Sequence, residues 1–169
     1  MKRSFEGKAW VFGDSMNTDL MYPHICYTVP DEEKPFYTMW ANRPGWAREV
    51  KSGDIIVAGK NFGIGSSRPA AANLKALGIA CVLAESVNGL FLRNSVNFGF
   101  LTLSCPGITD IVGEDDLIRV NLEEGTVSNL SSHKELKFKP IPKFLMDIVD
   151  EGGIIQVLKR KGYLEDEPL

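Results

Sequence analysis

Apolar runs separated by polar turns fill the first two thirds of the chain, and each run has the length of one strand or one short helix. Strands are predicted at residues 5–12, 54–58, 79–84 and 100–103, and helices at residues 69–77 and 86–97. Short, nearly continuous apolar runs are typical of strands that are buried on both faces of a sheet. The strand–helix–strand alternation favours parallel pairing with right-handed crossovers.

The last third of the chain has a different pattern. Strands are predicted at residues 117–122, 126–129 and 136–139, followed by short amphipathic helices at 144–149 and 154–161. Residues 36–50 carry apolar positions at helical spacing that Pro44 and Gly45 interrupt, which predicts two short helices. We therefore expect an α/β fold in one domain over residues 1–169, with a parallel-strand core and a β-rich C-terminal part.

The loop between the predicted strand at 54–58 and the helix at 69–77 has the most distinctive composition. Its glycines, Gly59, Gly63 and Gly65, allow positive φ angles and let several backbone N–H groups point into one concavity. Two hydroxyl side chains and the planar fork of Arg68 follow directly. The pattern predicts a site for a small anion at the start of the following helix.

Known phosphate loops do not match this segment. A Walker loop has lysine directly after its last glycine, where this chain has Ser66 and Ser67. The dinucleotide fingerprint needs glycine at the position of Arg68, and the hydrolase elbow needs glycines on both sides of its serine. A plain turn with a serine cap, followed by Pro69 at the first helical position, stays open as an alternative.

Composition excludes several classes of function. The apolar share of 44%, the charged share of 24% and the net charge of −3 are ordinary and give no broad positive field for nucleic acid or membrane. Cys26, Cys81 and Cys105 are widely spaced, which argues against a disulfide framework or a local metal site. Without a signal peptide or a run of about 18 apolar residues, we expect a cytoplasmic protein.

Two motifs resemble a known family. Residues 59–68 read Gly-Lys-Asn-Phe-Gly-Ile-Gly-Ser-Ser-Arg, which resembles the signature of the aconitase-type swivelling domain, in particular the free-standing small subunits of isopropylmalate isomerase and its relatives. Asn17-Thr18-Asp19 resembles a second, shorter signature of that family. The resemblance covers nearly the whole chain. It implies a β/β/α swivelling domain and a hydro-lyase that acts on a hydroxy-dicarboxylate in leucine biosynthesis.

The resemblance also implies roles for individual residues. Ser66 matches the serine that removes a proton next to a substrate carboxylate, and Arg68 matches the arginine that clamps this carboxylate. Asp19 matches a carboxylate that orients the arginine, and Ser67 a second hydroxyl that binds the substrate. The residues assigned to substrate binding are Ser67, Arg68, Asp19, Gly63 and Gly65.

In that family the catalytic iron is held elsewhere. A [4Fe-4S] cluster lies in a separate large subunit, so the resemblance implies that this chain binds no cofactor or metal and acts only in a heteromer. Family members commonly continue the Ser-Ser-Arg motif with Glu-His, whereas this chain has Pro69-Ala70. A substrate other than isopropylmalate therefore stays open, as does an anion-binding module without turnover.

The segment 20–29 resembles the family's specificity loop. Its apolar residues are Leu20, Met21, Tyr22, Ile25, Tyr27 and Val29. It contains no lysine or arginine, and the acidic residues at 31–33 would repel a carboxylate. We therefore expect a substrate with a small alkyl arm, with 3-isopropylmalate first and a methyl-substituted malate second.

Tricarboxylates of the aconitate or homoaconitate type stay open as alternatives. A protonated His24, or cations of the large subunit, would offset the charge of a third carboxylate. The residues assigned to substrate specificity are Tyr22, His24, Ile25 and Tyr27.

Overall fold

The computed structural model describes residues 3–65 and 68–165, and these residues contain a seven-stranded mixed sheet with helices packed against it. The strands are β1 (Ser4–Phe12), β2 (Ile55–Ala58), β3 (Cys81–Ala84), β4 (Thr102–Ser104), β5 (Leu117–Asn121), β6 (Thr126–Asn129) and β7 (Lys134–Lys137). The α-helices are α1 (Thr18–Met21), α2 (Trp46–Glu49), α3 (Ala70–Ala76), α4 (Gly89–Asn97), α5 (Ile108–Ile111), α6 (Lys143–Asp150) and α7 (Ile154–Arg160). Two 3₁₀ turns lie at His24–Tyr27 and Lys34–Tyr37.

The strand order in the sheet is β4-β3-β2-β1-β5-β6-β7. Neighbouring strands from β1 to β4 are parallel, and those from β1 through β5 to β7 are antiparallel. This arrangement confirms the predicted parallel core and the β-rich C-terminal part. The loops that follow β1, β2 and β3 consequently leave the sheet at the same edge.

Strand β1 belongs to both parts of the sheet. Its first half, Ser4–Lys8, pairs with β5, and its second half, Ala9–Phe12, pairs with β2. Gly7 lies near the change of partner, where an added Cβ would be 2.1 Å from the carbonyl oxygen of Gly53. The close approach of these two backbones therefore requires glycine at position 7.

Two apolar clusters cover the faces of the parallel strands. In β2, Ile56 and Ala58 belong to the cluster beneath α2, α3 and α4, and Ile55 and Val57 belong to the cluster that includes residues of α5 and α6. All four side chains have 0% exposure. Burial on both faces explains why the sequence of β2 is continuously apolar, since burial of each isoleucine or valine side chain contributes about 1.5–3 kcal/mol.

Several predicted boundaries differ from the structure. Helix α4 begins at Gly89 rather than residue 86, because the side chain of Asn88 caps it by accepting from Leu90 N. Strand β7 covers Lys134–Lys137 rather than residues 136–139. Of the two short helices expected within residues 36–50, the second is α2, which Gly45 precedes with φ +86°. The first is wrong, because only Phe36 and Tyr37 belong to the 3₁₀ turn and residues 38–42 form turns.

Helices α1 and α5 have four residues each and were not predicted. A single turn contains too few positions for apolar periodicity to reveal it. Among the helices within residues 3–65 and 68–165, none combines the length and the apolar character needed to cross a membrane.

Candidate active site

The glycine-rich loop after β2 lies against the loop after β1. Gly63 N donates to Met16 O at 2.8 Å, and Thr18 N donates to Ile64 O at 2.8 Å. Asn17 and Ile64 form a parallel β-bridge. The two motifs that resemble the family's signatures are therefore joined by backbone hydrogen bonds, which place residues 17–19 beside residues 63–65.

Phe62 connects the same loop to the segment between β3 and α4. Its N–H donates to Ser86 O at 2.9 Å and its carbonyl accepts from Asn88 N at 2.8 Å. The Phe62 side chain is fully buried and meets the ring of Phe91 edge-on, with 5.1 Å between centroids. The loop is thus held between the segments that follow β1 and β3.

Each glycine of the loop is required for a structural reason of its own. Gly63 and Gly65 have φ of +84° and +102°, which confirms the predicted positive φ angles. An added Cβ would lie 2.2 Å from Phe91 Cβ at Gly63 and 2.2 Å from Asn17 Oδ1 at Gly65. The positive φ angle predicted for Gly59 is wrong, since Gly59 is not among the glycines with positive φ. Glycine is required there by proximity instead, because a Cβ would lie 1.9 Å from Asp14 Oδ1.

Arg68 lies against the loop that carries Asp19. Its Nε is 2.9 Å from Asp19 Oδ1, and its Nη1 donates to Tyr22 O at 2.9 Å and, more weakly, to Asp19 O at 3.4 Å. The guanidinium carbon lies 5.6 Å from the centroid of the Tyr27 ring. The Arg68 side chain is 25% exposed and that of Asp19 is 40% exposed. The structure therefore brings Arg68 together with Asp19, Tyr22 and Tyr27. These contacts hold the guanidinium of Arg68 in a fixed position in which it stays partly accessible.

Ser66 and Ser67 lie outside the described residues. Their assigned roles stay predictions. Pro69 precedes α3, and the Arg68 carbonyl accepts from Ala70 N at 2.8 Å. The helix predicted at 69–77 is confirmed as Ala70–Ala76 between the capping residues Pro69 and Leu77.

The segment 20–29 divides into an exposed part and a buried part. Leu20, Ile25 and Tyr27 are exposed by 46%, 39% and 56%. His24 is also exposed, and its ring centroid lies 5.9 Å from that of Tyr27. Of these exposed side chains, Tyr27 lies beside Arg68 and His24 lies beside Tyr27.

Tyr22 occupies a different place from the one expected of a specificity residue. Its side chain is 3% exposed, its ring packs edge-on against Tyr27, and its hydroxyl donates to Cys26 O at 3.4 Å. Burial raises the pKa of this phenol above its ordinary value. Tyr22 contributes a backbone carbonyl to Arg68 rather than a side chain to the surface.

The sequence analysis did not predict two contacts of the site, the cap formed by Asn17 and the hydrogen bond from Arg68 to the Tyr22 carbonyl. Asn17 caps α1, its Oδ1 accepting from Asp19 N at 2.8 Å. An asparagine two residues before an aspartate is a common turn signal and could have indicated this cap. The Tyr22 carbonyl has no sequence signal, because every residue carries one.

The cysteines of this chain do not fit an iron–sulfur cluster. Cys26 is buried in one apolar cluster, and Cys81 and Cys105 are buried in the other. Burial raises the pKa of Cys105 to about 12 and that of Cys81 further, whereas cluster ligands are thiolates. Within the two described ranges, no three His, Cys, Asp or Glu side chains are grouped to hold a metal ion.

Comparison with known proteins agrees with this geometry. The family model of the aconitase C-terminal domain matches residues 12–107. The 3-isopropylmalate dehydratase small subunit 1 of Methanopyrus kandleri is 44% identical over 164 residues, which are 96% of each chain. The isopropylmalate/citramalate isomerase small subunit of Methanocaldococcus jannaschii is 43% identical over 164 residues, 95% of this chain and 97% of that one.

A solved structure is similar over the same length. The crystal structure of 3-isopropylmalate dehydratase from Methanocaldococcus jannaschii superposes with a TM-score of 0.88 at 30% identity, and covers 95% of this chain and 96% of that one. Sequence motifs, sheet topology and full-length similarity agree, and the chain belongs to the aconitase C-terminal domain family, among the small subunits of 3-isopropylmalate dehydratase.

Proposed function

We propose that this chain is the small subunit of a heteromeric hydro-lyase that dehydrates and isomerises 3-isopropylmalate in leucine biosynthesis. The observation that carries the proposal is the placement of Arg68, which Asp19 and the Tyr22 carbonyl hold beside the glycine loop. Full-length relatives named as small subunits of 3-isopropylmalate dehydratase support it.

Arg68 binds a substrate carboxylate in this proposal. Two of its three guanidinium nitrogens, Nε and Nη1, are engaged by Asp19 and Tyr22, and Nη2 has no acceptor among the described residues. Contacts at both Nε and Nη1 fix the plane of the guanidinium, so the N–H groups of Nη2 point in a fixed direction and can donate to the carboxylate. Clamping one carboxylate also positions the neighbouring C–H bond for proton removal.

Ser66 is the proposed base that removes this proton. A serine hydroxyl is a weak base, because its alkoxide must be stabilised by N–H donors and positive charge. Arg68 supplies the positive charge. The N–H groups of Gly63 and Ile64 both donate to Met16 O, so the proposal assigns stabilisation of the alkoxide to Arg68 rather than to these two donors. Ser67 is proposed to hydrogen-bond the clamped carboxylate.

The alkyl arm of the substrate is proposed to lie along the exposed part of residues 20–29. Leu20, Ile25 and Tyr27 offer apolar surface there, and the segment contains no lysine or arginine. A third carboxylate would lack a cation from this segment, which is costly in a desolvated site. A methyl-substituted malate is the second candidate, because one relative is named isopropylmalate/citramalate isomerase.

The large subunit is the proposed source of the [4Fe-4S] cluster. When bound, the cluster would act as a Lewis acid on the departing hydroxyl. The name "small subunit" carried by the relatives supports an obligate partner, and the cysteines of this chain do not fit the cluster. All three thiols are free, which is usual in a reducing compartment, and we place the complex in the cytoplasm.

The proposal is tested by reconstitution. The chain is co-expressed with the iron–sulfur subunit of the same genome, and kcat/KM is measured for 3-isopropylmalate, citramalate, citrate and homocitrate. We expect the highest value for 3-isopropylmalate. A preference for either tricarboxylate would overturn the substrate assignment, and binding without turnover of any of the four would favour an anion-binding module.

The chain purified alone provides the second arm of this test. We expect a colourless, folded protein without hydro-lyase activity, and a brown, oxygen-sensitive complex after co-expression. Stoichiometric iron and turnover in the isolated chain would contradict the heteromer.

A further inference from the structure

Asn17 contacts both halves of the site through one atom. Its Oδ1 accepts from Asp19 N at 2.8 Å, and the same oxygen would lie 2.2 Å from a Cβ built on Gly65. The Asn17 backbone also forms the β-bridge with Ile64. Asn17 therefore fixes the position of Asp19, the partner of Arg68, relative to the glycine loop that continues into Ser66.

The capping geometry alone does not explain why this residue is asparagine. Asparagine and aspartate cap helices almost equally well, because both offer a side-chain oxygen to the same backbone N–H. Aspartate here would add a second carboxylate beside Gly65, close to the pair formed by Asp19 and Arg68. That carboxylate would compete for the guanidinium and repel an anionic substrate.

We propose that Asn17 is a positioning residue whose side chain must be neutral, so that it holds Asp19 and the glycine loop together without opposing the binding of a dicarboxylate. The proposal rests on the function proposed above, because it takes the ligand to be a dianion. It adds a requirement for a neutral side chain at a position to which the proposed function gives no role in the chemistry.

The test compares three variants of the small subunit in the assembled complex. Asn17→Asp keeps the acceptor and adds a charge, and Asn17→Ser keeps a neutral acceptor. Asn88→Asp is the matched control, because Asn88 caps α4 in the same way, accepting from Leu90 N at 3.0 Å. Each complex is assayed for kcat and KM, for the Kd of 3-isopropylmalate by calorimetry, and for thermal stability.

We expect Asn17→Asp to lower kcat/KM roughly 10- to 100-fold, mainly through a higher KM and Kd, as a like charge in a partly buried site predicts. The deficit should decrease at higher ionic strength. Its thermal midpoint should stay close to that of wild type, since the cap is kept. Asn17→Ser should stay within about fivefold of wild type and Asn88→Asp within about twofold, because neither adds charge beside Gly65.

Three outcomes overturn this inference: an unchanged KM and Kd in Asn17→Asp, an equal loss in Asn17→Ser, or an equal loss in Asn88→Asp. Failure of the proposed function is separately visible in the wild-type complex. If wild type binds 3-isopropylmalate without turnover, the enzyme assignment fails, and weaker binding by Asn17→Asp still supports the charge requirement. If wild type neither binds nor converts it, both proposals are wrong.

Discussion

The parallel half of the sheet, β1 to β4, and the antiparallel half, β5 to β7, bury their residues differently. Every residue of β2 and β3 is buried, whereas β5 alternates between exposed and buried positions and β7 has no buried residue. Strands β2 and β3 are covered on both faces, whereas β5 and β7 have exposed side chains; β6, between them, has no exposed residue.

The polar contacts of the two halves differ in the same way. Arg68 and Asp19 meet where loops from adjacent parallel strands converge. In the antiparallel half, Arg119 of β5 pairs with Glu6 across the exposed face, and Ser128 of β6 donates to Glu135 of β7. The parallel strands bring several polar groups to one point at the ends of the strands, whereas the antiparallel face carries separate pairs between neighbouring strands. Substitutions in the parallel half should therefore affect catalysis and stability more strongly than substitutions on the exposed antiparallel face.

The largest expected effect is on catalysis at the parallel edge. Ser66→Ala should lower kcat of the assembled enzyme by roughly 10²–10⁴-fold with a modest change in KM, the usual range for loss of a general base. Ser128→Ala in β6 is the control, and its kcat should match wild type. Near-normal kcat in Ser66→Ala would show that another group is the base.

The dense packing of the parallel edge predicts a large loss of stability in Gly63→Ala. The new methyl group would meet Phe91 at a positive φ angle, and we expect a loss of about 2–4 kcal/mol in the free energy of unfolding. Gly45→Ala shares the positive φ, +86° against +84°, but its Cβ would have no atom within 4 Å. It should cost only about 1 kcal/mol. Denaturant unfolding of both variants measures the difference, and equal losses would contradict the packing argument.

An acid-sensitive contact at the parallel edge predicts a smaller effect. Burial alone would raise the pKa of Glu85, but its hydrogen bonds from Gly107 N, Thr109 N and Thr109 Oγ1 outweigh burial, and the pKa lies below 4.5. Its contribution to stability is therefore complete above the unfolded pKa and is lost as the pH falls through the folded pKa.

Glu85→Gln should accordingly cost about 1–2 kcal/mol at pH 7, because a charge-assisted acceptor for the first turn of α5 is lost. The difference from wild type should shrink in unfolding measurements at progressively lower pH. Asp116 allows the same measurement in the antiparallel half, since hydrogen bonds from Gly113 N and Asn129 lower its pKa as well. If the loss of unfolding free energy in Glu85→Gln stayed constant from pH 7 to acidic pH, the proposed dependence of stability on the ionisation of Glu85 would be wrong.

The smallest effect is expected on the exposed antiparallel face. Arg119 and Glu6 have 50% and 44% of their side chains exposed, and an ion pair in that setting contributes at most about 1 kcal/mol. Arg119→Ala should change the free energy of unfolding by that amount or less, and added salt should reduce the change. If Arg119→Ala lost as much unfolding free energy as Gly63→Ala, the two halves of the sheet would not differ in their sensitivity to substitution.

The sequence predicted the buried strands and the glycine loop because both are local patterns. Residues 55–58 are apolar whichever strands lie beside them, and Gly63 and Gly65 mark positive φ angles by their identity. The division of β1 between two partners was not predictable, because pairing of Ser4 with Asn121 and of Ala9 with Ile55 depends on distant segments. No local period encodes a choice of partner.

The candidate site was predictable to the same extent. Arg68 and Asp19 were found through motif resemblance, and the structure brings them together. The apolar residues of segment 20–29 were all expected to face the substrate arm, yet Met21 and Tyr22 are buried while Leu20 and Tyr27 are not. Short turns such as α1 and His24–Tyr27 direct successive side chains to different sides, and an apolar run with so many turns does not reveal which side is the core.

The double pairing of β1 has a consequence for the order of folding. Strands β5, β6 and β7 pair with strands that are adjacent in the chain. Strand β1 instead pairs with β2 and β5, which are distant in sequence and are synthesised later. Contacts of long sequence separation form slowly, because the intervening chain must first be ordered. During synthesis β1 leaves the ribosome before β2 and β5, and one of its edges stays unpaired until residue 121 has followed. We therefore expect the nascent chain to depend on chaperones more than its modest length suggests.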